Sequence, residues 1–78
     1  MLTGIQIRMA RNALRLSVRE LAMASGVSTS TITRAEADNA IPNTTRNNLS
    51  ALKVALEAAG IEFIGTPEDG PGIRVRQP

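Results

Sequence analysis

The sequence predicts a mainly α-helical domain of four short helices, closed by a C-terminal β-hairpin. Three observations carry that expectation. Apolar residues recur at three- and four-residue spacing between residues 4 and 59, as on the inner faces of helices. Ser/Thr capping signatures and glycines break the stretch into helix-sized pieces. After Gly60 the pattern changes to β-branched residues alternating with charged ones. At 78 residues the chain has room for one domain. We expect residues 1–60 to form the helical unit and residues 61–78 the hairpin.

The elements follow in order. Thr3-Gly-Ile-Gln6 has the spacing of a capping box and opens a first helix to about Leu14, with Ile7, Ala10 and Leu14 inward. Arg8, Arg11 and Arg15 fall on successive turns of that helix as a basic stripe, of which Arg8 and Arg15 are expected to be a solvated face. Ser17-Val-Arg-Glu20 is a second box. It opens a helix presenting Val18, Leu21, Ala22 and Ser25 on one face, and Gly26 stops it. Ser28 caps a third helix, from Thr29 to about Ala37, whose inner face is Ile32 and Ala35. Residues 38–43 read as a loop. A fourth helix runs from about Thr45 to Ala59, with Leu49, Leu52, Leu56 and Ala59 inward. Ile61–Ile64 and Ile73–Arg76 read as strands, and Thr66–Gly72 as a turn that is long for a tight hairpin.

Composition excludes several function classes. The chain has no Cys, His, Tyr or Trp, and Phe63 is its one aromatic residue. It therefore lacks imidazole acid–base groups, thiol nucleophiles, His/Cys metal sites and aromatic stacking platforms. Ser17, Ser25, Ser28, Ser30 and Ser50 have no histidine to activate them. We expect neither an enzyme nor a cofactor or metal. No apolar run approaches the roughly 20 residues of a membrane span, and the N-terminus has no signal-peptide core, so a cytoplasmic location is expected.

Charge is distributed unevenly. Residues 1–53 hold seven basic residues against three acidic, a net of +4, whereas residues 54–78 hold two against four, a net of −2. The first part suits a polyanion and the second does not. Eight of the nine basic residues are arginine, whose fork matches phosphate and guanine. Within the basic part, residues 18–37 read as two short helices about a glycine turn, the helix–turn–helix unit. Ala22 has to be small where the helices cross, and Val27 and Ile32 pin the second helix on the first.

At these residues the sequence resembles the lambda-repressor-like, Xre-type DNA-binding domains, over about Gly4 to Ala59. The carriers are Ile7-Arg8-x-x-Arg11, Leu16-Ser17-x-x-Glu20-Leu21-Ala22, Gly26-Val27-Ser28 and Ile32-x-x-x-Glu36. Each piece alone is weak, whereas the ordered set is fairly specific. The resemblance implies that the third helix lies in the major groove and that the chain binds double-stranded DNA as a dimer. It also implies a partly buried ion pair between Arg11 and Glu36, structural in role. There are departures. The family often has Gln at the Val18 position, where it touches a phosphate, a role that Arg19 would take over. Leu is usual at Ala35 and Gly at Asp38, and Ser25 is unusually polar.

Helix geometry turns Thr29, Ser30, Thr33, Arg34 and Ala37 outward. Thr29, Ser30, Thr33 and Arg34 are the candidates for base contact, since the start of a recognition helix reaches the base edges. Arg34 can fork onto guanine, worth about 1–3 kcal/mol of discrimination. The plain alternative is capping chemistry and a solvated charge. Candidate phosphate contacts are Ser17, Val18 and Arg19 at the start of the second helix, Ser28, and Asn43, Thr44, Thr45 and Arg46 before the fourth. For Ser28 a capping role is favoured, and for Thr44 and Thr45 capping and contact are equally open.

A lone two-stranded ribbon is marginal in water, and its edges invite another strand. Ile61, Phe63, Ile64, Ile73 and Val75 are the expected dimer contacts, with recognition helices about 34 Å apart. If Ile61 and Phe63 face the helices, Ile64 is left uncovered on the other face. The alternative is a hairpin that caps a monomer's core. The expected function is a sequence-specific transcriptional regulator of repressor type. The alternative, from another class, is a protein-binding module such as an antitoxin whose hairpin engages a toxin and which also binds its own promoter.

Overall fold

A computed structural model of the chain describes residues 2–76. The order is α1 (Gly4–Ala13), α2 (Val18–Ser25), α3 (Thr29–Ala37), α4 (Arg46–Ala58), β1 (Ile61–Thr66) and β2 (Asp69–Val75). Each helix begins where a hydroxyl satisfies first-turn amides that the helix itself cannot. Thr3 and Gln6 form one reciprocal box, and Ser17 and Glu20 another. Ser28 and Thr45 accept from Thr31 N–H and Asn48 N–H. Gly26 ends α2 at φ 77°, a left-handed turn that glycine adopts without a Cβ clash.

The helical faces meet in one core of Leu2, Ile7, Ala10, Leu21, Val27, Ile32, Ala35, Leu49, Leu52, Leu56 and Ile61. Val18 and Ala22 lie half-buried against it. Ala59 is exposed, contrary to the inward place that the periodicity predicts for it. The reason is that α4 stops at Ala58 and the chain turns at Ala59 and Gly60 into the hairpin.

The hairpin is longer and tighter than expected. Pairing runs from Ile61 with Val75 to Thr66 with Asp69, which leaves a two-residue turn at Pro67 and Glu68. A register shift between Ile64 and Thr66, with Gly65 opposite Gly70 and Pro71, absorbs the one extra residue of β2. It rests on Gly65, where a side chain would collide with the Gly70 carbonyl. Arg76 lies just beyond β2, and Gln77 and Pro78 lie outside the described residues.

Gln6 holds this ribbon to α1. Its capping oxygen faces the Thr3 N–H, and its Nε2 donates to the carbonyls of Ile64 (3.0 Å) and Gly72 (2.9 Å), one on each strand. Phe63 and Ile73, paired across the strands, pack on the core. On the outer side Glu62 receives Arg74 and Arg76. The hydrogen bond from Arg76, aided by the charges of both arginines, holds the Glu62 carboxyl below its usual range.

Candidate nucleic-acid interface

The position of α3 is set from its two ends. At the start, Val27 and Ile32 are buried, and Ser28 Oγ donates to Thr31 Oγ1 at 2.8 Å. At the far end α1 grips the helix. Gly4 packs so closely that a Cβ would lie on the carbonyl oxygens of Ala35 and Asp38, and its N–H donates to Ala40 O at 2.9 Å. Arg8 Nη1 donates to Glu36 O (2.9 Å) and Nη2 to Asn39 Oδ1 (3.2 Å). One turn on, Arg11 forks onto the Glu36 carboxylate, Nε to Oε2 at 2.7 Å and Nη2 to Oε1 at 2.9 Å.

That ion pair is mostly withdrawn from water, with side-chain exposures of 18 % for Arg11 and 8 % for Glu36. The remaining Arg11 donor, Nη1, reaches Leu16 O at 3.0 Å. Hydrogen bonding to Glu36 holds the guanidinium more firmly protonated than usual, outweighing the opposing effect of burial. Arg11 is therefore committed inside the fold.

The Arg8 side chain is not the solvated group expected of the basic stripe, because its donors close the end of α3. Neither Arg8 nor Gly4 stood out as a support of α3. The available signals were Arg8 one turn before Arg11 and a glycine in the first turn of a helix, where it is disfavoured.

With its back fixed, α3 turns Thr29, Ser30, Thr33, Arg34 and Ala37 to solvent. Thr31 is half-buried and bonded to the Ser28 cap. Arg34 shares a polar cleft with Thr31, Asp38, Asn43 and Thr44, so a candidate base-reading cation and two candidate phosphate ligands lie side by side.

At the start of α2 the Ser17 N–H donates to Glu20 Oε1 at 2.8 Å, and Ser17 Oγ accepts from Glu20 N–H. The first-turn amides outside this box are those of Val18 and Arg19, and the Arg19 side chain is exposed. Before α4, Thr45 Oγ1 accepts from Asn48 N–H and Thr44 Oγ1 from Asn48 Nδ2, both at 3.1 Å. Thr45 thus caps α4, whereas the Thr44 hydroxyl bonds only the Asn48 side chain, with Asn43 and Arg46 exposed beside them.

The hairpin does not present the five apolar side chains expected of a dimer contact. Ile61, at 2 % exposure, belongs to this chain's own core, and Phe63 and Ile73 pack on it. Tertiary burial has claimed one face, and the other carries the Glu62 ion pairs. Half-buried Ile64 and Val75, at 47 % exposure, remain.

A buried-back, polar-front helix packed through a glycine turn on a preceding short helix defines a helix–turn–helix DNA-binding unit. The family model described as helix-turn-helix (HTH_3) matches residues 7–57, and the chain belongs to this Xre/lambda repressor-like family. It is accordingly a DNA-binding domain of the transcription-regulator class. No curated protein matches the sequence significantly. Among the described residues no helix is long and apolar enough to cross a membrane.

Proposed function

We propose that this chain is a sequence-specific repressor that binds double-stranded DNA as a homodimer in the cytoplasm. The observation that supports this most strongly is the contrast between the two sides of α3. One side is locked by α1, and the other offers Thr29, Ser30, Thr33 and Arg34 to a groove. Thr29 and Ser30 meet base edges near the start of the helix, and a threonine methyl can meet a thymine methyl. Arg34 forks onto a guanine. The Val18 amide, Arg19, Asn43, Thr44 and Arg46 hold phosphates on either side, with the Ser17, Ser28 and Thr45 hydroxyls as shared cap and contact groups. A repressor role needs no more than occupancy of a promoter.

Selection from a pool of random duplexes at two salt concentrations tests this reading. The expected result is an enriched palindrome with steep salt dependence. In the same assay Arg34→Ala should relax preference at one base position per half-site, by about 1–3 kcal/mol. An equal loss on every sequence would make Arg34 a phosphate ligand instead. Steep binding with no enriched motif would leave a general DNA coat. Failure to bind DNA would favour a protein partner such as a toxin.

A further inference from the structure

Val54 on α4 is 62 % exposed, and it borders a groove between α2 and α4 walled by alanines 24, 51, 55 and 58, with the uncharged polar side chains of Ser25, Asn47 and Ser50 beside them. No charged side chain lines this groove, although 21 % of the chain's residues are charged. An apolar knob and the hollow that would receive it thus lie on one face. None of these residues belongs to the set assigned above to DNA.

We propose that this face is the contact between two copies of the chain, with α4 packed antiparallel on α4 about a two-fold axis near Val54 and Ala55. The inference rests on the homodimer reading and moves its contact from the hairpin to α4. A two-fold contact joins one patch to itself, so the patch must carry both knob and hollow. Groups near the axis meet their own kind, so a charge there would meet its like, and this lining has none.

Farther out, charge complementarity identifies the occupant. An axis near Val54 and Ala55 sets Lys53 beside Glu57 of the partner subunit and, by symmetry, Glu57 beside Lys53 of the partner subunit. Both side chains are exposed. The ion pairs among the described residues are Arg11–Glu36, Arg74–Glu62 and Arg76–Glu62, so neither Lys53 nor Glu57 is ion-paired among them. The overlap from Ala51 to Ala58 spans about 12 Å at the helical rise. A contact of that length makes a weak dimer, one that two half-sites on a single duplex would hold together.

Sedimentation equilibrium of the full chain without DNA, from tens to hundreds of micromolar, tests the contact independently of DNA binding. The wild type should associate. Val54→Glu should weaken the dimer by about tenfold or more, as expected for a charge at the centre of an interface. Val75→Glu on the hairpin should leave association unchanged. Lys53→Glu and Glu57→Lys should each weaken it, and the double reversal should restore it. The charge variants change exposed positions and so keep the test if Val54→Glu fails to fold. Any of three results overturns the proposal. These are a wild type that stays monomeric throughout, dissociation by Val75→Glu but not by Val54→Glu, and single reversals that leave association unchanged.

Discussion

Arg11 shows how one side chain links fold to function. Its fork on Glu36 ties α1 to α3, and its third donor ties the α1–α2 turn. Arg11→Ala would leave the Glu36 carboxylate poorly solvated and unpaired, at a cost on the order of 3 kcal/mol. A domain of this size has roughly 4–12 kcal/mol in total, so the melting temperature should fall steeply. An unchanged melting temperature with weakened DNA binding would show that Arg11 is a DNA ligand after all. Arg15 offers the opposite case. It lies at φ 57°, where α1 ends with Leu16 N–H on Arg11 O and Arg15 N–H on Asn12 O. Glycine is the usual residue in this left-handed closing position. The left-handed conformation costs about 1–2 kcal/mol for a residue with a Cβ, against about 0.5–1 for the extra entropy that glycine loses. Arg15→Gly should therefore raise stability by about 0.5–1 kcal/mol, read by thermal or urea unfolding. A lower melting temperature would mean that the Arg15 side chain makes a stabilising contact.

Among the elements, α1 is the one that organises the rest. One face supports the end of α3 through Gly4, Arg8 and Arg11, and Gln6 holds the hairpin. The hairpin is thereby anchored by two side-chain hydrogen bonds and by Ile61, Phe63 and Ile73. Gln6→Glu separates these roles. It keeps the capping oxygen but replaces the amide donor with a second oxygen facing two carbonyls. Burial and those carbonyls favour the protonated acid, so the carboxyl's folded-state pKa lies above its unfolded value. The folded variant is then best supported below its unfolded pKa and loses that support as pH rises through the folded one. At neutral pH, hydrogen exchange should show hairpin amides losing protection while α2 and α3 keep theirs, with partial recovery on acidification. A loss spread equally over all helices would show that hairpin and helices open as one unit.

On the scale of the whole molecule, the separation of charge matters more than its total. The basic residues that pair with no side chain among the described residues include Arg19, Arg34 and Arg46, all exposed. The acidic excess lies in residues 54–78, where Glu57, Glu68 and Asp69 are exposed. Phosphate contacts release counterions, so affinity should fall linearly on a log–log plot against salt. Arg19→Ala and Arg46→Ala should each lower affinity about equally for all duplexes and make that slope shallower by about one unit. A slope unchanged by either substitution would remove that arginine from the phosphate set. Arg8→Ala should leave the slope unaltered, because its guanidinium is spent on Glu36 O and Asn39.

The helices, their caps and the turn at Gly26 were legible along the chain, because capping boxes and helical periodicity act over three or four residues. The outward face of α3 was legible for the same reason. Long-range placement was not. Nothing local marks Gln6 as the partner of carbonyls at residues 64 and 72, or Gly4 as the point where α1 touches α3. The hairpin misled for a related reason: alternation shows that a strand has two faces, but not which neighbour covers them. That Ile61 is spent inside the core follows from how α1 and α4 pack against the ribbon. Local hydrogen bonding and periodicity are written in adjacent residues. Burial is decided by which surfaces meet, and only the assembled tertiary structure brings them together.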